Sequence, residues 1–155
     1  MKWKLPPKIK IYEALGCIAD GRMTVEGNTA KIYSSSGNKF YTVTYDPEQN
    51  AIMANDNGSY WRGYLGYPAI AFLMQSGVIL FDPAFAEALK GIHWKNVNTK
   101  FKNDFDKTAE YVHSLLELKN VSLEDFLSEV DRIFDQIEKL NLSLLGQKIL
   151  PPSGE

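Results

Sequence analysis

The chain has 155 residues, 45 % apolar and 23 % charged, which is the composition of a folded globular protein and excludes a disordered or fibrous one. Seventeen basic against nineteen acidic side chains give a net charge of −2, so no overall positive field is present to hold duplex nucleic acid by its phosphates. The longest apolar stretches, 69–74 and 78–81, fall far short of the roughly 20 residues of a membrane helix, and the single Cys17 cannot close an intrachain disulfide; no membrane contact and a cytoplasmic location are the expectations.

The opening MKWKLPPKIK sets Lys2, Lys4, Lys8 and Lys10 around a tryptophan, and Pro6 or Pro7 suits a first helical turn, where the missing N–H costs nothing. The lysines read either as phosphate contacts or as solvation of a mobile terminus. A helix over Lys8 to Ala19 follows, with Ile11, Leu15 and Ile18 on one face and Asp20-Gly21 as its stop. The period then shortens. Met23 to Glu26, Thr29 to Ser34, Lys39 to Tyr45 and Ala51 to Asn55 are β-prone runs divided by Gly27-Asn28, Ser36-Gly37-Asn38 and Asp46 to Asn50. They predict an antiparallel meander of about four strands. Phe40, Thr42 and Thr44 alternate with Tyr41, Val43 and Tyr45, so both sheet faces carry large side chains and helices should cover at least one.

Asn55 to Gly58 ends the sheet and an aromatic loop follows. Pro68 starts a short apolar helix stopped at Gly77, and Asp82-Pro83 caps another that stops at Gly91. After a connector containing His93 and Trp94, Thr99 or Asn103 opens a longer helix with Phe105, Ala109, Val112 and Leu116 inward and Asn120 as its end. Ser122 with Asp125 resembles a capping box. It opens a helix to about Leu140 with the stripe Phe126, Leu127, Val130, Ile133, Phe134 and Ile137. The expected fold class is therefore α+β, a single domain over 1–155 with a sheet-rich half at about 22–57 and a helical half at about 68–145. Six acids on the last helix, Glu124, Asp125, Glu129, Asp131, Asp135 and Glu138, outnumber Arg132 and Lys139, which reads as a solvated face or as a surface for assembly.

The segment 55–74 is the most unusual. Tyr60, Trp61, Tyr64 and Tyr67 fall within eight positions, with Arg62 and glycines between them. Two strands, an aromatic loop and a small-residue helix over residues 39–76 resemble the layout of a SWIM-type zinc finger, whose pattern is CxCx(n)CxH on a ββα unit. That pattern places its ligands at Asn55, Asn57, Leu65 and Tyr67, none of which is a thiolate or imidazole, so neither a metal nor any other cofactor is expected. The chain also has the general look of small archaeal proteins of unassigned activity.

Aromatic clusters often close a core with their polar tips in water; the functional reading is a stacking platform for bases or sugars, with arginine adding a phosphate contact. Catalytic patterns are thin. There is no GxSxG, GxGxxG or GxxxxGK[ST], and Gly58, Gly63 and Gly66 serve turns. Cys17 sits inside the first apolar helix as a small hydrophobe. His113 reads as a boundary residue of a helix, whereas His93 lies in a connector.

The expectation is a non-enzymatic binding module that uses Asn55, Asp56, Asn57, Tyr60, Trp61, Arg62, Tyr64 and Tyr67 for a protein or a single-stranded nucleic acid. The alternative is a small enzyme with a pocket at the same loop, using Asp56, Arg62 and His93; a hydrolytic set of Asp56, His93 and Ser59 lacks the nucleophile elbow it would need. The missing ligand set makes one outcome checkable: melting is unaltered by a strong chelator, and stoichiometric zinc lost together with the fold would refute it.

Overall fold

The computed structural model describes residues 1–153. Helix α1 (Ile9–Asp20) is buried from Ile11 through Cys17 and at Ile9, so it is enclosed on nearly every side. It packs on α2 (Tyr67–Gln75), α3 (Pro83–Ala88), α5 (Phe105–Leu118) and α6 (Leu123–Leu140). Strands β1 (Met23–Glu26), β2 (Thr29–Tyr33), β3 (Phe40–Asp46), β4 (Ala51–Ala54) and β5 (Ser143–Leu144) form one mixed sheet in sequential order. The α+β class is as the sequence predicts.

The first four strands are antiparallel neighbours, and their alternation fixes the register. Ala30 pairs with Val43 and Ile32 with Tyr41, all four buried, while Tyr33 pairs with Phe40 on the outward face. Helix α2 covers the inward face, with Phe72 meeting Tyr45 edge-on. The outward face stays open: Tyr33 and Phe40 pack on each other there with the Lys31 ammonium 5.0 Å above the Phe40 ring.

Three features differ from the sequence expectation. The sheet has a fifth strand, because Ser143 and Leu144 pair in parallel with Ala51 and Ile52. Two residues are too short to show a period. The opening residues are held in place instead of mobile: Leu144 N donates to Met1 O at 2.8 Å, Trp3 N to Leu142 O at 3.0 Å and Leu65 N to Lys4 O at 3.1 Å. Buried Trp3 adds an indole hydrogen bond to Ile52 O at 2.8 Å. Lastly, the connector after His93 is a helix, α4 (Trp94–Lys100). Lys102 and Asn103 at φ of 52° and 60° break it from α5, so α5 begins after Asp104, whose carboxylate accepts from Lys107 N, rather than at Thr99 or Asn103.

Helix α6 starts where Ser122 accepts from Asp125 N and ends at Asn141 in the left-handed region. Phe126, Val130, Ile133 and Ile137 are buried, but Leu127 is exposed and Phe134 only half-buried beneath the Lys8 ammonium. Its acid is partly compensated, since Asp131 pairs with Lys8 at 2.8 Å and buried Glu129 pairs with Arg132 at 3.0 Å while accepting from Asp82 N. The stripe is thus packed, with unequal weight along it. Phe126→Ala should cost about 3–5 kcal/mol in denaturant unfolding and Phe134→Ala clearly less; equal losses would contradict this packing.

Candidate functional site

The site is built where β4 runs out. Asn55 Oδ1 accepts from Thr42 N at 2.7 Å, which ties the strand end to its neighbour. Asp56 is buried, and its carboxyl accepts Ser59 Oγ–H at 2.6 Å and Ser59 N–H at 3.2 Å. Ser59 Oγ in turn accepts from Gly66 N at 3.2 Å. A Cβ at Gly66 would lie 2.0 Å from Asp56 Oδ2, so glycine is what lets the carboxyl seat there. These bonds hold the aromatic segment as one π-helical turn over Gly58–Arg62 where the sequence predicts an irregular loop. Single π turns are rare and concentrate at functional sites.

The wide turn throws side chains outward. Trp61 is 66 % exposed with Tyr60 edge-on to it at 4.6 Å, Arg62 is exposed, and Asn55, Asn57, Tyr60, Tyr64 and Tyr67 are half-buried. Beneath Trp61 and Arg62 lies a groove of about 800 Å³ walled by Tyr64, Phe105 and Lys10. It adjoins a deeper cavity of about 360 Å³ between α1, α4 and the β2–β3 turn, and the two share Lys10, Asn57, Gly58 and Asn103.

The inner cavity is ringed by charges that burial would penalise if they stood alone. Lys10 Nζ pairs with Glu13 Oε2 at 2.9 Å, with 15 % and 3 % of the two side chains exposed. Glu13 Oε1 accepts from Asn98 Nδ2 at 2.8 Å. Arg22 lies on Tyr67, pairs with Asp20 at 3.2 Å and donates to Tyr33 O at 2.6 Å. Burial works to lower the Lys10 pKa, but Glu13, Tyr64 and Asp56 together carry it upward, so the ammonium stays charged. Burial raises Asp56 above its ordinary value against the opposing hydrogen bonds of Ser59 and the charge of Lys10. Burial likewise raises Tyr67 strongly, with Arg22 opposing. Trp94 is buried, its Nε1 makes no hydrogen bond, and a Cβ at Gly16 would come within 2.8 Å of that nitrogen.

Of the residues singled out in the sequence, Asp56, Asn57 and Tyr67 line the inner cavity, and Asn57, Trp61, Arg62 and Tyr64 the outer groove. His93 lines a separate hollow with Lys90, Lys100 and Lys119. Asp56, Arg62 and His93 therefore line three different hollows, and Ser59 is engaged in holding the turn. His113 is taken up by a 2.8 Å hydrogen bond with the Tyr12 hydroxyl. Burial pushes the Cys17 thiol up to about 11. Glu13, Arg22 and Asn98 escaped the sequence analysis, which read Lys10 only as a phosphate contact or a solvated terminus and Trp94 only as part of a connector; the available signal was an i,i+3 charge pair inside an otherwise apolar helix. Among the described residues no group of His, Cys, Asp or Glu converges to hold a metal ion. At the zinc-finger ligand positions, Asn55 bonds Thr42, Leu65 is in the core, and Asn57 and Tyr67 line the cavity.

A family profile described as Uncharacterised conserved protein UCP014422 matches residues 3–143, which include the whole site. The comparisons with curated proteins and with solved structures found no match.

The Asp56 network sets a pH signature. Its folded pKa lies above the ordinary 3.8, so the stability it contributes is fully present below that value and is lost as pH rises through the folded pKa. Asp56→Asn does not titrate. Its unfolding free energy relative to the native chain should therefore shift in the variant's favour over that rise, and a difference constant with pH would contradict an Asp56 pKa raised by burial. Asp56→Ala, which leaves the Ser59 donors unpaired, should cost about 1–3 kcal/mol.

Proposed function

The chain belongs to the uncharacterised conserved family UCP014422, and we propose that it is a non-enzymatic binding module whose outer groove takes single-stranded nucleic acid. The observation that carries this reading is the composition of the groove wall: Trp61, Tyr64 and Phe105 beside the exposed Arg62, with no acidic side chain lining it among the described residues and the Lys10 charge already paired with Glu13. Bases offer flat faces to aromatic rings and a phosphate follows each one, so an aromatic row with an exposed arginine beside it suits a strand. A wholly apolar protein partner would leave the Arg62 charge unanswered. The net charge of −2 speaks against duplex, whose phosphates need a broad positive surface.

The second reading is a small enzyme, favoured by a specific observation: Asp56, Lys10 and Tyr67 surround one cavity with displaced proton affinities. Such groupings occur at active sites and also in structural ion-pair networks. Lys10 and Glu13 are ion-paired with each other and Asp56 is spent on Ser59, which favours the binding module.

Tryptophan fluorescence separates these readings, because Trp3 and Trp94 are buried and Trp61 is the exposed reporter. Mixed-sequence oligonucleotides should quench it with a shallow salt dependence, as expected for one or two phosphate contacts. Read by anisotropy of a dye-labelled oligonucleotide, which does not depend on the tryptophan, Trp61→Ala or Arg62→Ala should weaken binding by about 1–3 kcal/mol with little change in melting. No binding by the native chain, or severe destabilisation by both substitutions, would defeat the module; cleavage or modification of the oligonucleotide would favour the enzyme.

A further inference from the structure

Resting on the groove reading, we infer that the inner cavity receives one unstacked nucleobase of the bound strand and reads its edge. The two spaces share the wall formed by Lys10, Asn57, Gly58 and Asn103, so a strand lying in the groove runs past the cavity mouth.

The chemistry of the cavity distinguishes a base from a phosphate. A phosphate subsite presents cations without local partners, whereas here the charges are already answered: Lys10 by Glu13 at 2.9 Å, and Arg22 by Asp20 at 3.2 Å and by Tyr33 O at 2.6 Å. Among the described residues Lys95 is the one lining cation with no ion pair, and it is exposed to solvent on α4. Between the paired charges the lining keeps hydrogen-bonding capacity for a neutral ring: the proton of the Ser35 hydroxyl, whose oxygen accepts from Lys95 N, the second amide hydrogen of Asn98, whose first goes to Glu13, and the Thr99 hydroxyl, all beside aromatic walls. Tyr41 and Tyr67 stand perpendicular to each other at 6.2 Å, with Trp94 also lining the space. A flat, neutral ring carrying donors and acceptors on its edge matches that surface, and proteins read unpaired bases in this manner, by stacking and edge hydrogen bonds. Extruding a base from a single strand costs little compared with extruding it from a duplex, so the groove and the cavity can be filled together.

The test uses the full chain with two sets of probes: the four free ribonucleosides, and four homopolymer oligonucleotides of equal length. Thr99 is exposed on α4 and lines the cavity, so Thr99→Trp blocks the cavity from its surface side; Ser35→Phe blocks it from the facing turn should the first variant lose cooperative melting. The native chain should bind free nucleosides and discriminate among the four by at least about tenfold, with the same preference among the homopolymers. A blocked variant should lose nucleoside binding and that preference while retaining oligonucleotide binding. Trp61→Ala should weaken oligonucleotides and leave nucleosides unaffected. Oligonucleotide binding without nucleoside binding, and with base preference unaltered by the block, overturns the insertion and leaves the groove reading standing. Failure of oligonucleotides to bind the native chain overturns both.

Discussion

The enclosure of α1 is the constraint on which the remaining architecture rests. A helix covered on nearly every side has no solvent face on which to leave its charges, yet α1 carries Lys10 and Glu13. Burying one ion without a partner costs several kcal/mol, so the two must meet each other and their remaining hydrogen-bonding capacity must be met from outside the helix. Asn98 of α4 supplies that partner for Glu13, and Thr108 of α5 reaches Asn98 at 3.5 Å. The order of packing follows: α4 lies against α1 because a carboxylate needs its amide, and the indole of Trp94 can settle there because position 16 has no side chain. The cavity is the space left between these obligations.

The opposite wall rests on a second carboxyl with a different solution. Asp56 is satisfied by Ser59 through both its hydroxyl and its backbone N–H, and the same hydroxyl accepts from Gly66. One acid thus fixes the start of the π turn and, through the Ser59 hydroxyl, the chain at Gly66 beyond its end, and the exposed rings of the turn cost the core nothing because the fixing is done underneath them. The result is a fixed base beneath an exposed Trp61, which under the proposed binding role would lower the conformational entropy lost when a ligand docks.

Much of the fold was legible in the sequence for identifiable reasons. The four antiparallel strands were marked by turn residues at short intervals, and α6 by a serine cap and a stripe of apolar residues. What escaped was non-local. β5 exists because Ser143 finds a free edge at Ala51, and α4 lacks a side-chain cap and owes its place to contacts with Glu13 and Ser35. The aromatic half of the candidate site was visible as a local cluster. Its inner half was not, since Lys10, Arg22, Tyr41 and Asn98 come from four separate segments and no spacing rule connects them.

The interlock of the first residues with the last strand has a temporal side. Met1 O and Trp3 N are engaged by Leu144 N and Leu142 O, and Trp3 reaches Ile52 across the same seam. During synthesis the first residues leave the ribosome long before residues 142–144 exist, and they must wait for them with an unsealed sheet edge at β4. Contacts of such long sequence separation slow folding and lengthen exposure of that edge. Closing this seam is therefore a late event in the life of the nascent chain, completed only after α6 has been made.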